Sequence, residues 1–525
     1  MTAYWKTLSH NGVHFPPPYE PMGMSVKVSG KAAALSPLAE EMAYLFAKKK
    51  DTPYVQDPVF TANFTNDFVR QLPAWCKGAR YTDLDFSEFY RRVDQEKAAK
   101  ESMSKEEKKN LAASRKEQRE ALKARFGKAT VDGKEVDIAN WMVEPPGLFM
   151  GRGKHPFRGK WKPRVQPSDV VLNLGEAAPV PPGGWKQVVH DHDSMWMAKW
   201  MDKLTDKEKY VWLHESAPIQ QSRSRAKYDN ARKVGTHIDR IRSKILKELD
   251  SKDERMRQVA TVCYLIDTMG MRVGDEKDED EADTVGASTL RVEHVNLKGE
   301  VAHFDFLGKD SVAWSKSEKI PPSVARNLGE FTSGKKPEEE IFHNVNSGMV
   351  NQFLSSIVPG VTAKVFRTHH ATATAKGALG SKDVKSAEDL DKLYHAKEAN
   401  LQAAIFCNHQ RTPPKTWEES LKKKQEKLDA AKAKGDEKRI AKLQREVDFY
   451  VRTKNYNLNT SMKNYIDPRV YKSWCDYVGL DWAKVYSKSL QRKFSWVLQS
   501  SAKWEQESEA LKPVATARRP TERSP

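Results

Sequence analysis

The stretch ERMRQVATVCYLIDTMG, residues 254–270, is patterned as an amphipathic α-helix. Its apolar residues recur three or four positions apart and so share one helix face: Met256, Val259, Cys263 and Ile266. The apolar residues of the preceding stretch THIDRIRSKILKEL, residues 236–249, follow the same spacing: Ile238, Ile241 and Ile245. The sequence therefore predicts two packed helices within a mainly helical block, which runs from about residue 217 to 415.

Alternating apolar and polar residues inside this block predict a small β-sheet. STLRVEHVNL (288–297) and EVAHFDFLGKDSVAW (300–314) show the two-residue period of two or three short strands. Residues 136–216 look β-rich as well, and there WKQVVH (185–190) and SMWMAKW (194–200) predict a hairpin. Together with the helices, these segments predict an α+β fold.

Two strongly charged segments predict solvated helices. Residues 105–125 have few apolar positions, so a helix exposed on all sides is expected there. Residues 416–453 are almost entirely Lys, Glu, Ala and Leu, with a break at Gly435 that fits two antiparallel helices joined by a glycine turn. A last helical domain at 454–510 and a disordered tail at 511–525 are expected to follow.

The composition favours a polyanionic partner. The net charge is +18 and the pI is near 9.4, and nucleic acid is the usual partner of so basic a chain. A basic surface kept for solubility is the alternative.

The four cysteines are far apart and contain no CxxC pair, which indicates a reducing compartment and no structural zinc: Cys76, Cys263, Cys407 and Cys475. No apolar run suits a membrane span or a signal peptide, so we expect an intracellular protein.

Common nucleotide and metal motifs are absent from the sequence. No Gly-Lys is followed by Ser or Thr, so the phosphate-cradling loop of nucleotide-dependent enzymes is missing. No Lys-x-Asp-Gly occurs, which argues against a ligase or capping nucleotidyl transfer. HDHD (190–193) suits a hairpin turn better than a metal site, because alternate strand residues point to opposite faces. The acidic run DEKDEDEAD (275–283) lacks the glycine at the sixth position of a calcium loop.

Tyr465, in TSMKNYIDPR (460–469), is a candidate nucleophile toward a phosphodiester. A phenol has a pKa of about 10, so nearby positive charge must favour its oxyanion. Attack gives a phosphorane whose non-bridging oxygens gain charge, which calls for guanidinium groups and a His or Lys. The leaving 5′ oxygen needs a proton, which a lysine can supply. Without a metal, the chain must provide two arginines, a lysine and a histidine.

Four residues of the required types stand at the ends of apolar elements or at turns. Arg272 follows the helix at 254–270, and Lys309 lies at a turn after an apolar strand. Arg367 follows Lys-Val-Phe, and His409 ends an apolar helix. Each also has a purely structural interpretation: a helix cap for Arg272, a hairpin charge for Lys309, a surface ion-pair partner for Arg367 and a buried core histidine for His409. Spacing in the sequence does not prove that the four residues converge.

The segments around these candidates closely resemble the eukaryotic type IB DNA topoisomerases, in the same order along the chain. They are EPPGLFMGRGKHP (144–156), RVGDEKDEDEADTVGASTLRVEHVNL (272–297), FDFLGKDS (304–311), AKVFRTHHAT (363–372), FCNHQRTPPKT (406–416) and TSMKNYIDPR (460–469). The resemblance covers nearly the whole chain, from about residue 4 to 500.

The resemblance implies roles for the matching residues. Tyr465 would form a 3′-phosphotyrosyl link and release a 5′ hydroxyl. Arg272, Arg367 and His409 would stabilise the transition state, with Lys309 as general acid. Because the covalent link conserves the bond energy, no ATP and no essential divalent metal are expected. Residues expected to contact DNA are Arg152, His155, Lys160, Asp310 and Asn464. Of these, Arg152, Asp310 and Asn464 match positions that contact camptothecin, so camptothecin-type inhibitors are expected to bind the cleavage complex.

The resemblance also implies a multidomain α+β DNA clamp. Its expected parts are a mixed α/β cap and DNA-binding region at 1–216, a mainly helical catalytic core with a small β-sheet at 217–415, an antiparallel coiled-coil linker at 416–453, and a small helical C-terminal domain with the tyrosine at 454–510. A monomer that binds duplex DNA, especially supercoiled DNA, is expected. Its expected location is the nucleus, with a mitochondrial or viral setting as the alternative, because the long charged N-terminal extension of nuclear members is absent.

Two departures from the family and two alternative functions remain. Met462 replaces the lysine usual three residues before the tyrosine, with Lys463 one position nearer, and His369-His370 replaces the usual Tyr-Asn. A tyrosine recombinase would share the chemistry, but its second arginine usually follows His-x-x, whereas Lys364 occupies that position here. A non-catalytic DNA-binding protein is the other alternative.

Overall fold

The computed structural model describes residues 4–151, 153–274, 284–501 and 503–506, apart from the side chain of Asp310. These residues form two compact units, with the boundary in the sequence between Gln220 and Gln221. Helices and small sheets are mixed, in agreement with the predicted α+β class. Over the described ranges, no helix combines the length and the apolar character needed to cross a membrane. The acidic run at 275–283 and the predicted tail at 511–525 lie outside the described residues.

The first unit is built from four helices and short strands within its described residues. The helices are α1 (Pro37–Ala47), α2 (Pro58–Val69), α3 (Ser87–Ser102) and α4 (Lys105–Phe126). The strands are β1 (Leu8–His10), β2 (Val26–Val28), β3 (Lys31–Ala33), β4 (Leu84–Asp85), β5 (Lys128–Val131), β6 (Lys134–Asp137), β7 (Gly147–Leu148), β8 (Trp161–Lys162), β9 (Val171–Asn173), β10 (Gln187–Val189), β11 (Trp196–Met201) and β12 (Glu208–Trp212). Their sheet orders are β1-β5-β6, β3-β2-β4, β7-β8 and β10-β9-β11-β12.

Helix α4 is the solvated helix expected at residues 105–125. Its N-terminus is a capping box, in which the Glu107 amide donates to Ser104 Oγ at 3.1 Å and the Ser104 amide donates to Glu107 Oε2 at 2.7 Å. None of its residues is fully buried. The helix is therefore stabilised by its caps and its charged surface more than by a core.

The hairpin predicted for WKQVVH and SMWMAKW is wrong. Strand β10 pairs in parallel with one edge of β9, and β11 pairs antiparallel with the other edge. The reason is the buried Asn173 at the end of β9, whose amide group donates to the carbonyls of Asp191 and Trp196 at 3.0 and 3.2 Å. These bonds hold the connecting loop across the end of β9, so β9 lies between the two strands.

Within its described residues, the second unit is mainly helical, with one antiparallel sheet in the order β13-β14-β15. Its helices are α5 (Pro218–Glu248), α6 (Glu254–Met269), α7 (Pro322–Thr332), α8 (Ser347–Ile357), α9 (Ala363–Leu379), α10 (Asp389–Phe406), α11 (Trp417–Ala433), α12 (Glu437–Arg452), α13 (Leu458–Asn464), α14 (Pro468–Val478), α15 (Trp482–Val485) and α16 (Lys488–Lys493). Its strands are β13 (Val295–Lys298), β14 (Val301–Gly308) and β15 (Val312–Lys319).

Helices α5 and α6 are the two helices predicted from the apolar periodicity. The predicted isoleucines of α5, together with Val259, Cys263 and Ile266 of α6, lie in one buried cluster, and Met256 packs at its edge. Helix α6 ends at Gly270, which has φ +67°. A Cβ at this position would lie 3.1 Å from the Phe406 carbonyl oxygen, so glycine allows the end of α6 to pack against the end of α10.

The predicted sheet has three strands, and its alternation separates core from solvent. Phe304, Phe306 and Trp314 are buried, whereas the alternate residues His303, Asp305 and Ala313 are exposed. Gly308 pairs with Val312, so the residues between them, 309–311, form the turn from β14 to β15.

Helices α11 and α12 form an antiparallel pair. Trp417 stacks on Tyr450 with ring centroids 5.5 Å apart, and further along Lys424 pairs with Glu446 at 3.7 Å. Gly435, with φ +67°, lies in the turn between the helices. Most other side chains of the pair are exposed.

The C-terminal helices α13, α14 and α16 pack with α9 and α10 in a second core. Alanines on α9 and α10 allow close approach of large residues such as Tyr471, Trp474 and Phe494. Met462 of α13 belongs to this core and is 6% exposed, whereas the neighbouring Lys463 is half-buried. The position three residues before Tyr465 thus faces the core, which explains why methionine is tolerated there.

Candidate active site

Tyr465 lies between two helices and is 8% exposed. Its amide donates to the Ser461 carbonyl at 2.9 Å, which completes the last turn of α13. Two residues later Asp467 caps α14 by accepting a hydrogen bond from the Arg469 amide at 3.0 Å. The nucleophile candidate therefore sits in a short turn with a fixed helix end on each side.

Arg272 contacts the phenol directly. The Arg272 carbonyl accepts from the Ala287 amide at 2.8 Å, which fixes the chain just beyond the end of α6. From there Arg272 Nη1 donates to Tyr465 Oη at 3.1 Å. A cation at this position stabilises negative charge on the phenol oxygen. Arg272 does not act as the cap of α6, which its sequence position allows, because Gly270 ends that helix.

Arg367 is buried behind the tyrosine ring and is 5% exposed. Its Nη1 donates to the Gly270 carbonyl at 2.6 Å and its Nη2 to the Cys407 carbonyl at 2.8 Å. The guanidinium carbon lies 5.5 Å from the centre of the Tyr465 ring. Burial lowers the pKa of Arg367, but a guanidinium still keeps its charge in a protein. Arg367 is thus not the surface ion-pair partner that its sequence context allows.

His409 faces Tyr465 from the end of α10. Asn408, with φ +51°, turns the chain, and the two rings lie 4.8 Å apart. His409 Nδ1 is 2.7 Å from Ser461 Oγ, and Nε2 is buried without a partner among the described residues. Burial, followed by Arg367 and Arg272, lowers the pKa of His409 to about 3. The imidazole is therefore neutral, and a Ser461 hydroxyl that donates to Nδ1 leaves the hydrogen on Nε2.

Lys309 lies in the exposed turn between β14 and β15. It lines a cavity of about 140 Å³ together with Arg272, Arg367 and His409. A flexible ammonium at the mouth of a cavity lined by two guanidinium groups suits proton delivery to a group bound there. The structure thus places four of the five residues predicted for catalysis around one cavity, and three of these four also contact Tyr465, the fifth.

The five residues predicted to contact DNA are described unevenly. Arg152 and the side chain of Asp310 lie outside the described part. His155 is half-buried, with Nδ1 accepting from the Phe157 amide at 3.1 Å, and the Lys160 ammonium lies 4.0 Å from the centre of the Phe157 ring. Asn464, next to Tyr465, has an exposed side chain.

Sequence reasoning missed several residues that support the site. Ser461 is one helical turn before Tyr465, and that spacing is the signal that could have drawn attention to it. Asp267 and His370 are buried together and Arg242 is half-buried beside them: Asp267 accepts from His370 Nε2 at 2.7 Å and from Arg242 Nε at 2.8 Å. These contacts give His370, the second histidine of the His369-His370 departure, a structural role. His370 joins α9 to α6 at Asp267, three residues before the end of α6 at Gly270.

The two histidines of HDHD are bound to other protein groups. His190 Nδ1 lies 2.7 Å from the Leu174 carbonyl, and His192 contacts the Trp5 carbonyl and Glu176 at 2.9 and 3.0 Å. Among the described residues, no group of three or more His, Cys, Asp or Glu side chains is arranged to hold a metal ion.

Comparison with protein families gives three matches that follow one another along the chain. The DNA binding fragment of eukaryotic DNA topoisomerase I matches residues 3–213, and its catalytic core matches residues 216–442. A C-terminal topoisomerase domain matches residues 437–506.

Individual relatives agree with these matches. DNA topoisomerase 1 beta of Arabidopsis thaliana is 37% identical over 540 residues, which cover 94% of this chain and 58% of the relative. DNA topoisomerase 1 of Homo sapiens is 36% identical and covers 94% of this chain and 71% of the relative. DNA topoisomerase 1 of Candidozyma auris is 41% identical, with 81% of this chain and 58% of the relative covered. The chain belongs to the eukaryotic DNA topoisomerase I family. It spans somewhat more than half the length of the plant relatives.

Proposed function

We propose that the chain relaxes positive and negative DNA supercoils by transient cleavage of one strand, rotation and religation, without ATP. The observation that carries this proposal is the hydrogen bond of 3.1 Å from Arg272 Nη1 to Tyr465 Oη, in a site that also holds Arg367 and His409. A guanidinium that donates to the phenol oxygen holds the nucleophile in place next to the charge that develops at phosphorus. Membership of the family supports the same reaction.

Cleavage is an in-line displacement at phosphorus. Tyr465 Oη forms a bond to phosphorus as the bond from phosphorus to the 5′ oxygen breaks, and the phenol proton passes to water. Lys309 gives a proton to the departing 5′ oxygen, which leaves as a hydroxyl. One phosphodiester is exchanged for another, so religation is the same step in reverse and needs no external energy.

The charge that develops on the phosphorane is met by fixed donors. Arg272 offers its guanidinium at the phenol, and the buried Nε of Arg367 has no partner among the described residues. His409 offers Nε2–H when Ser461 donates to Nδ1. Donors held in place before the reaction stabilise the transition state without reorganisation, an effect of about 10²–10³-fold for one donor.

These side chains also support the proposal that neither ATP nor a divalent metal is required. Two guanidinium groups, an imidazole and an ammonium supply the positive charge and the proton that the displacement needs. The absence of a nucleotide-binding loop in the sequence agrees with a reaction that conserves bond energy.

The substrate in this proposal is duplex DNA, bound mainly through its phosphates. The net charge of +18 and the residues His155, Lys160 and Asn464 support such contacts. The proposal keeps the predicted division into a DNA-binding cap, a catalytic core, a linker formed by α11 and α12, and a C-terminal domain that carries Tyr465. It also keeps a clamp on DNA, a monomer, a nuclear location, and binding of camptothecin-type drugs to the cleaved complex at Arg152, Asp310 and Asn464.

Relaxation of a supercoiled plasmid in EDTA without ATP tests the function. The wild-type chain is expected to relax plasmids of either sign, and Tyr465→Phe is expected to bind DNA without forming a covalent adduct. A strict requirement for ATP or metal would refute the mechanism. DNA binding without relaxation by the wild type would indicate the non-catalytic alternative, and resolution of synthetic recombination junctions would indicate a recombinase.

A further inference from the structure

The main chain around Tyr465 is bound to one buried hydroxyl. Thr372, on α9, is 1% exposed. Its Oγ1 accepts a hydrogen bond from the Asp467 amide at 3.0 Å and lies 3.2 Å from the Tyr465 carbonyl oxygen. The same hydroxyl is 2.7 Å from the Thr368 carbonyl of its own helix, where its hydrogen finds the nearer acceptor. One side chain thus joins α9 to the peptide group between Ile466 and Asp467, next to the Tyr465 carbonyl.

Helix α9 also carries the arginine that contacts the tyrosine ring. Arg367 precedes Thr372 by five residues, a rise of about 7.5 Å along a helix. Its guanidinium is fixed by the carbonyls of Gly270 and Cys407 and lies 5.5 Å from the Tyr465 ring centre. A single helix therefore holds both the cation and the turn that follows the residue which the cation contacts.

A second buried group fixes the same turn from α5. Asp467 is 1% exposed and accepts from Arg232 Nε at 2.8 Å and from Arg469 Nη2 at 2.9 Å. Burial opposes ionisation, but Arg232 and Arg469 hold the pKa of Asp467 below its ordinary value. The carboxylate is therefore charged, caps α14, and ties the residue two positions after Tyr465 to α5.

We propose that Thr372 and Asp467 are positioning residues for cleavage, which fix the Tyr465 main chain relative to the Arg367 guanidinium. The inference rests on the function proposed above. Neither side chain needs to touch DNA: both act through the turn at 465–467. A shift of about 1 Å in a reacting atom lowers a rate by about 10²-fold, so a small relaxation of this turn has a large effect.

Thr372→Val tests the hydroxyl, with Thr372→Ser as the conservative variant and Thr368→Val as the matched control. Thr368 is also a buried threonine of α9, but its hydroxyl bonds only the Lys364 carbonyl, at 3.3 Å, among the contacts of the described residues. Valine leaves the Asp467 amide without an acceptor and also removes the bond to the Thr368 carbonyl within α9. Thr368→Val removes a bond of the second kind only and so controls for it. In single-turnover cleavage of a labelled duplex by the full chain, Thr372→Val is expected to be slower than wild type by about 10-fold or more.

The companion variants separate positioning from general stability. Thr372→Ser is expected to recover most of the rate, Thr368→Val to cleave like the wild type, and all three to bind the uncleaved duplex with unchanged affinity. Cleavage by Thr372→Val at the wild-type rate, or an equal loss in Thr368→Val, would overturn the proposal.

Asp467→Asn provides the second test, with Asp476→Asn as its control. Asparagine keeps the cap of α14 but removes the charge that Arg232 and Arg469 bind. Asp476 lies on the same helix and is exposed, and pairs only with Lys472 among the ion pairs of the described residues. Slower cleavage with unchanged DNA affinity is expected for Asp467→Asn and not for Asp476→Asn. Equal rates in the two variants would exclude a positioning role for Asp467.

Nitration of Tyr465 gives a reading that is independent of catalysis. The DNA-free full chain is treated with tetranitromethane, and modification of the peptide that contains Tyr465 is followed by mass spectrometry. Faster nitration in Thr372→Val than in wild type or Thr368→Val is expected, because the phenol leaves its buried position. Unchanged nitration would overturn the positioning role, whereas a wild-type chain that cleaves no DNA would refute only the proposed function.

Discussion

Replacing Arg367 with lysine separates positive charge from the geometry of a guanidinium. In the structure Arg367 is a fork whose two terminal nitrogens bind the ends of two helices, at the Gly270 and Cys407 carbonyls. A lysine carries one nitrogen and can satisfy only one of these carbonyls at good geometry. The change keeps the positive charge, so any loss of stability or of cleavage rate results from the missing guanidinium geometry.

The expected losses follow from the contacts. One charge-assisted hydrogen bond is removed, which lowers the free energy of unfolding by about 1.5–3 kcal/mol. In addition, the donor that faces the phosphorane is no longer held in place, and removal of one such donor slows cleavage by about 10²–10³-fold. The effect on the rate is therefore expected to exceed any effect on DNA affinity.

Single-turnover cleavage measures this difference. A duplex whose short fragment with the new 5′ hydroxyl dissociates after cleavage traps the covalent adduct on the 5′-labelled strand. The rate at which this adduct appears is compared at a temperature well below the unfolding of the variant. Arg326→Lys is the matched control, since Arg326 pairs with Asp250 at 2.5 Å on the exposed surface. Cleavage by Arg367→Lys within about threefold of wild type would refute the reasoning, because loss of a preorganised donor has a much larger effect.

Four further predictions concern the proton donor, the histidine with its serine partner, and the carboxylate of Asp267. Lys309→Ala should cleave slowly with an ordinary 5′ oxygen but nearly normally when sulfur replaces it, since a thiol with pKa of about 8.5 leaves without a proton; equal slowness on both substrates would contradict the role of general acid. Ser461→Ala should slow cleavage by about fivefold, the equivalent of one lost hydrogen bond, and wild-type cleavage rates would contradict the tautomer assigned to His409. Because the pKa of His409 is about 3, its neutral form persists as the pH falls. The cleavage profile between about pH 5 and 8 should therefore keep its shape in His409→Gln. Asp267→Asn should destabilise the fold by about 3 kcal/mol, measured by chemical denaturation near neutral pH, because Arg242 and His370 lose their carboxylate. Burial opposes the shift, but His370 and then Arg242 hold the pKa of Asp267 well below its ordinary value. The stabilisation by the Asp267 carboxylate is thus present above the unfolded carboxyl pKa of about 3.9 and is lost as the pH falls. The difference in free energy of unfolding between Asp267→Asn and wild type should therefore shrink in acid.

The reliable predictions from the sequence are those that depend on local periodicity. The faces of α5 and α6 follow from residues three or four apart, and the turn at 309–311 follows from two alternating strands. In contrast, the predicted hairpin at 185–200 failed because pairing depends on β9, which lies earlier in the chain. A strand pattern identifies a strand, but its partner is chosen by long-range contacts such as those of Asn173.

The candidate site shows the same division. Chemistry and family resemblance select Tyr465, Arg272, Lys309, Arg367 and His409 from the sequence, since each belongs to a recognisable segment. The same chain offers a purely structural interpretation of each residue, and local sequence does not distinguish the two. The contact of Arg272 with the phenol spans 193 residues of sequence, and only the folded chain establishes it.

The sequence by itself determined the helices, the strands, the basic charge and the identity of the reactive groups, because these depend on near neighbours and on side-chain chemistry. Only the tertiary structure decided that Arg367 is buried as a fork between two helix ends, that His409 is neutral, and that Thr372 and Asp467 bind the turn around Tyr465. The physical reason is that burial, hydrogen-bond geometry and pKa are set by groups that are distant in the chain. These groups come together only when the helices and strands pack against one another.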